Sequence, residues 1–373
     1  MIPAEVFAQT CWSFLQPIRD YLQDPTVSEV MVNGPTHIYV ERKGQLSRTD
    51  ASFESRDALE AAVRHLAQFV GKHVDAERPI LEGRLPDGSR VQAILPPAAP
   101  DGPHLAIRRF FSETLTAERL IGFGSLTDDA VQLLQALVTI KQNIVVAGGT
   151  GSGKTSLLNV LSGFAPKSDR IVVIEDSREL QLPLPHVVQL EARPPDAKGR
   201  GQVTIRDLFR ATLRMRPDRI VVGEIRGGEA LDLVQAMTSG HGGCLSTVHA
   251  TYPSDALNRL QTMALMGDVE LPLAALRVQI GSAVHVIVQT SRLIDGSRVV
   301  THITEVAGYD PQRGYELRDL FVRKYLGKHD EHILSSLEPT GARPQCLDKI
   351  QAFGLPLPAS MYDVAQRSRS HRS

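Results

Sequence analysis

Aromatic residues make up only 5% of this 373-residue chain, Trp occurs once, and cysteine occurs three times, at Cys11, Cys244 and Cys346. Three thiols so far apart, odd in number and without a C-x-x-C, offer no disulfide framework or zinc site and suit a reducing compartment. Neither sign of charge is in excess: 41 Lys and Arg stand against 42 Asp and Glu, a formal net charge of −1. That balance, with so few aromatics to stack on bases, speaks against a general nucleic-acid binder. Apolar runs stop well short of the roughly 20 residues a membrane-spanning helix needs. The first residues lack a basic, then apolar, then small-residue pattern, so no signal peptide is expected. Internal repeats and low-complexity blocks are missing as well. What remains, 42% hydrophobic and 22% charged residues, is the make-up of a soluble globular protein too long for one ordinary core.

The most specific stretch is GGTGSGKT at 148–155, a complete match to G-x-x-x-x-G-K-[ST]. An apolar run with strand character (143–147) precedes it and a helical pattern (156–164) follows, the order a phosphate-binding loop requires. Glycines let backbone amides close around an anion, and the helix that begins there aims its positive end at the same point. Gly148, Gly149, Thr150, Gly151, Ser152, Gly153, Lys154, Thr155 and Ser156 are therefore expected to hold a nucleotide. Lys154 would reach the β/γ-phosphates and Thr155 would ligate Mg²⁺.

Around that loop the chain reads as two domains. Residues 1–112 form a small α+β domain with a leading helix at 4–23, short strands near 29–33 and 37–41, a helix at 55–70, an Asp87-Gly88 hairpin and a strand at 104–110 carrying Arg108 and Arg109. Residues 113–126 read as a linker with a Gly122/Gly124 hinge. From 127 to 310 strands and helices alternate, which calls for helices on a largely parallel sheet. A hairpin across Asp295-Gly296 closes this core, and 311–373 reads as a short mixed tail, disordered from 367.

Ligands of such a sheet bind at the carboxyl ends of the strands, where the acidic residues fall. Strand 220–222 runs through Gly223 into Glu224, which can orient and activate an attacking water. Glu175, Asp176 and Glu179 follow another apolar strand and can hold the water shell of Mg²⁺ or serve as plain surface. His241 and His249 flank the strand at 244–248; without a third ligand they give little support to a metal and can instead donate to a phosphate. Arg206, Arg210 and Arg214 share one helix face, either solvated or presented to phosphate.

Together these segments resemble the secretion ATPase superfamily of type II and type IV secretion and type IV pili, most nearly the CpaF-type ATPases of tight adherence (Tad/Flp) pili. The likeness rests on GGTGSGKT (148–155), IVVIEDSREL (171–180), LRMRPDRIVVGEIRG (213–227) and TSGHGGCLSTVHA (238–250), which match the Walker A, Asp, Walker B and His boxes. It extends through residues 28–44, 84–97, 184–195 and 300–310. The resemblance implies a RecA-like P-loop domain behind a smaller PAS-like N-terminal domain, with ATP bound between them. It implies ATP and Mg²⁺ as ligands, Glu224 as the water-activating carboxylate, Glu179 as a second catalytic acid that also serves the metal, and His241 and His249 as sensors of nucleotide state. Arg90 and Arg108 match arginines that such motors bring to the nucleotide. The implied assembly is a homohexamer in the cytoplasm, meeting the inner membrane through a platform protein and touching no nucleic acid directly. The chain departs from the pattern at Thr251, where Asn is common, and at Cys244, where a smaller residue is frequent. A nucleic-acid translocase and a non-hydrolysing regulator of a secretion apparatus are the competing readings.

Overall fold

The computed structural model describes residues 11–42, 44–85, 87–109, 115–195, 199–267, 271–330 and 332–361. The start of the expected leading helix (4–10), the first residues of the expected linker (113–114) and the tail from 362 onward lie outside the described residues. The chain divides into two compact units, Met1–Glu113 and Thr114–Ser373.

In the first unit, period-2 alternation of apolar residues builds an antiparallel sheet in the order β3-β2-β1-β6-β5-β4. Its strands are β1 (Val27–Asn33), β2 (Ile38–Arg42), β3 (Gln45–Arg48), β4 (Ile80–Arg84), β5 (Arg90–Ile94) and β6 (His104–Arg108). Val30, Val32, Ile38, Val40, Val91, Ala93, Leu105 and Ile107 fall on one face by register and join Leu59, Val63 and Leu66 of the helix Arg56–Phe69 in one core. Ser55 starts that helix by accepting the Ala58 N–H at 3.1 Å, a side-chain cap on an otherwise orphaned amide. The expected hairpin forms: Arg84 pairs with Arg90 across a turn in which Gly88 has φ +86°. The leading helix differs from expectation. Among the described residues it breaks near Leu15 into the 3-10 turn Gln16–Ile18 and the helix Arg19–Gln23, because Pro17 has no N–H to continue the ladder.

The second unit holds a sheet in the order β15-β14-β13-β12-β7-β11-β10-β8-β9. Six strands run parallel: β7 (Ile144–Gly148), β8 (Ile171–Glu175), β9 (Val187–Glu191), β10 (Arg219–Val222), β11 (Leu245–His249) and β12 (Val286–Arg292). Antiparallel β13 (Arg298–Asp310), β14 (Gly314–His329) and β15 (His332–Pro339) extend it. The central strands are buried on both faces. Ile144, Val146, Ile171 and Val173 belong to a core with the helices Asp128–Thr139 and Lys154–Gly163, while Val145, Ala147, Val172 and Ile174 join the helices Glu229–Thr238, Pro253–Ala264 and Leu273–Ala283. Layers of helix on both sides of a parallel sheet are the arrangement the alternating pattern required.

Two expected boundaries are corrected. Residues 117–122, read as linker, form the helix Ala117–Gly122, whose Ala117 and Leu120 enter the second core with Leu126. The tail expected from 311 instead supplies two strands and the helix Leu347–Ala352, with Leu320, Phe321, Leu337 and Ile350 buried in that core. The outer half of β14, from Lys324 to His329, is exposed throughout, so it carries no apolar alternation to betray a strand.

Candidate functional site: a phosphate loop at the strand ends

Strand β7 ends at Gly148 and the helix Lys154–Gly163 begins six residues later, so the glycine loop spans the carboxyl edge of the sheet. Gly151 and Gly153 have φ +69° and +93°, backbone conformations that a residue with a Cβ adopts only under strain. A Cβ on Gly148 would stand 2.2 Å from the Thr290 hydroxyl and 2.4 Å from that of Ser152, so no larger residue fits there. Gly153 is the helix N-cap and no side chain caps it, which leaves the first amides of the helix to an anion. The Gly149 carbonyl gathers the loop's donors: Lys154 Nζ at 2.9 Å, Ser152 Oγ at 2.8 Å and the Ser152 N–H at 3.4 Å. A nucleotide phosphate would take over these donors. The cradle thus fits a polyphosphate in backbone geometry and donor set.

Glu175 ends β8 and is 3% exposed; its Oε1 accepts the N–H groups of Glu179 and Leu180 at 2.8 and 3.0 Å. This folds the acidic turn back over the strand and sets Asp176 and Glu179 beyond it. Gly223 makes that possible, since a Cβ there would lie 2.9 Å from Glu175 Cγ. Glu224 follows at the end of β10. Arg226 grips its Oε2 through Nε and Nη2 at 2.8 and 2.6 Å, and reaches Asp176 at 3.4 Å. Burial works to lower the Arg226 pKa, but the hydrogen bond to Glu224 and the charges of Glu224, Asp176 and Glu179 prevail and raise it. The carboxylates of two strand ends are therefore gathered on one guanidinium. No group of three or more His, Cys, Asp or Glu side chains converges as a metal cage among the described residues. Mg²⁺ keeps most of its waters and takes one or two protein ligands; Thr155 and Glu179 are the candidates to supply them.

The two histidines are not brought together within one chain. His249 is exposed at the end of β11, directly across from Gly148. His241 precedes the same strand, where its N–H is held by the Ala236 carbonyl and its own carbonyl accepts from Cys244 Sγ. A five-residue strand, on the order of 13–17 Å long, separates the two ends. Arg90 and Arg108 do meet: they are directly opposed on β5 and β6 of the first unit, flanked by Arg84 on β4 and Glu29 on β1. This places Arg84, Arg90 and Arg108 in one row on one sheet face. Arg109 turns instead to the carbonyls of Asp24 and Val27, a structural role. Arg206 and Arg210 both bind Asp232, at 2.7 and 2.9 Å, which ties their helix to the next one.

Sequence reasoning missed Arg226 as a partner of Glu224, although it lies in the same motif. It also missed Thr290, Arg292 and Arg298 of the β12–β13 hairpin. Thr290 bonds Ser152 Oγ at 2.8 Å, Arg298 Nε bonds the Gly151 carbonyl at 2.8 Å, and Arg292 lies beside Gly151. Only the pairing of β12 with β7, which puts Thr290 opposite Gly148, brings them there, and no local motif announces it.

Known proteins share both the sequence and the fold. A family model described as "Type II/IV secretion system protein" matches residues 14–312. The type IV secretion system protein PtlH of Bordetella pertussis is 35% identical over 302 residues, covering 74% of this chain and 89% of its own. The conjugal transfer protein TrbB of Rhizobium radiobacter is 33% identical over 292 residues, covering 77% and 86%. The solved structure of the Legionella pneumophila ATPase DotB has the same fold at 19% identity, with TM-score 0.56 over 77% of this chain and 79% of that one. With the family model spanning most of the chain and its glycine cradle and acidic strand ends in place, the chain belongs to the type II/IV secretion system protein family.

Proposed function

We propose that the chain is an ATPase that hydrolyses ATP to ADP and phosphate, and that as a cytoplasmic homohexamer docked on an inner-membrane platform protein it powers pilus assembly or secretion. The observation that carries this reading is the loop at 148–155, with two left-handed glycines, an uncapped helix start and Lys154 aimed into its interior. Lys154 and the loop amides bind the β/γ-phosphates. Glu224 accepts the proton of the attacking water, with Glu179 assisting from the neighbouring strand end. Mg²⁺ bound through Thr155 would neutralise charge on the phosphate oxygens. His249, across from Gly148, answers to the state of the γ-phosphate, and Arg90 and Arg108, a row of like charge on the first unit's sheet, serve turnover as its basic groups. His241, at the other end of the same strand, is the second candidate sensor of nucleotide state.

Lys154→Ala tests this directly: phosphate release should fall by at least about a hundredfold, the loss typical of removing one donor to a developing negative charge. Turnover at the wild-type rate would overturn the assignment of the loop. As to pathway, the Tad/Flp likeness of the motifs points to a pilus, whereas the names of PtlH and TrbB favour type IV secretion or conjugal transfer. Restoration of pilus assembly, or of substrate export, in a strain lacking the chain separates the two.

A further inference from the structure

The phosphate loop leans on the β12–β13 hairpin, and the hairpin in turn is fastened to the segment by which the chain enters the second unit. Arg292 and Arg298 are directly opposed at the turn end of the hairpin. Arg298 lies along the outside of the loop: its Cδ is 3.6 Å from where a Gly153 Cβ would be, and its Nε donates to the Gly151 carbonyl at 2.8 Å. A peptide plane carries its C=O and N–H on opposite sides. A donor that holds the Gly151 carbonyl toward the hairpin therefore turns the Ser152 N–H inward. There it meets the Gly149 carbonyl at a stretched 3.4 Å, a bond easily exchanged for a phosphate oxygen.

The backbone of Arg298 is anchored in its turn. Its carbonyl accepts the Ser125 hydroxyl, and the Ser125 carbonyl accepts the Val300 N–H at 3.1 Å. Arg323, 5% exposed, bonds the carbonyls of Gly124, Ser125 and Val300 at 2.9, 2.8 and 2.7 Å, and Ser335 Oγ at 2.9 Å. A buried guanidinium spent on backbone carbonyls and a hydroxyl pins residues 124–125, two and three residues after the helix Ala117–Gly122 ends, to the first residues of β13.

We propose that Arg298 is a positioning residue of the phosphate loop, and that Ser125 couples it to residues 117–125, so that nucleotide affinity depends on how this entry segment is held. The inference rests on the loop being the nucleotide cradle. Full-length chain carrying Arg298→Ala, Arg298→Lys, Ser125→Ala or the double alanine change is compared with Lys154→Ala for binding of a fluorescent ADP analogue and for the KM and kcat of phosphate release. Arg298→Ala is expected to weaken binding and raise KM together by about fivefold, the effect of one lost hydrogen bond, with kcat within about twofold. Arg298→Lys, which can still donate to the carbonyl, should recover part of the affinity. Ser125→Ala should weaken binding less, and adding it to Arg298→Ala should bring no further loss, the sign of a shared path.

Unchanged KM and affinity in Arg298→Ala, or two losses that simply multiply, would overturn the proposal. Normal nucleotide binding by Lys154→Ala would instead remove the cradle on which it stands. Arg298 is exposed, so its variants should fold; should the alanine form not, Arg298→Gln is read by the same criteria.

Discussion

Gly223 is the residue on which the acidic cluster turns. With no Cβ it lets the buried Glu175 side chain pass, and Glu175 then holds the turn bearing Asp176 and Glu179 by two backbone N–H groups. We expect Gly223→Ala to destabilise the fold by about 1–3 kcal/mol, as overpacking a filled interior does, and to lower kcat as the acidic turn shifts. Denaturant unfolding and phosphate release measure the two effects; a variant unchanged in both would show that Glu175 moves aside freely. Arg90 and Arg108 make a second prediction at this scale. Directly opposed like charges are unfavourable in a sheet, so Arg90→Ala should cost little stability while reducing turnover, and a thermal melt beside a rate assay separates those outcomes.

At the level of elements, the helix Ile205–Thr212 begins with a reciprocal cap: Thr204 accepts the Asp207 N–H at 3.1 Å and Asp207 accepts the Thr204 N–H at 2.9 Å. Thr204→Ala should lower stability by about 1 kcal/mol, seen as a shifted denaturation midpoint with unchanged slope. Local signals of this kind, together with the apolar runs, made much of the architecture legible in sequence: β7, the glycine loop and its helix, β8 and β10 with their terminal acids, and the β4–β5 and β12–β13 hairpins. Elements defined by distant partners were not legible. β14 and β15 are strands because β13 offers an edge, and the exposed stretch 324–329 carries no pattern of its own. Thr290 and Arg298 reach the glycine loop through strand pairing, not through a motif. His241 and His249 sit in one short box, yet the length of β11 holds them apart.

For the whole molecule, the C-terminal strands are part of the second unit and not an appendage. A chain ending at Asp310 would lose Leu320, Phe321 and Leu337 from the core and Arg323 from the carbonyls of 124–125. It should therefore fail to give a cooperative melt at the temperature of the full chain; an unaltered melt would mean these strands merely cover the sheet edge. Each of the two compact units owns a core; the first carries the arginine row, and the second carries the glycine loop and the acids at the strand ends. A nucleotide held at residues 148–155 and cleaved with the help of Glu224 is the central proposal for the whole molecule. The direct measurement is nucleotide binding and phosphate release on the same sample of Glu224→Gln and of the unaltered chain. The predicted result is ATP binding like that of the unaltered chain with release slowed by about a hundredfold or more, the effect of removing a general base; release at an undiminished rate would contradict it.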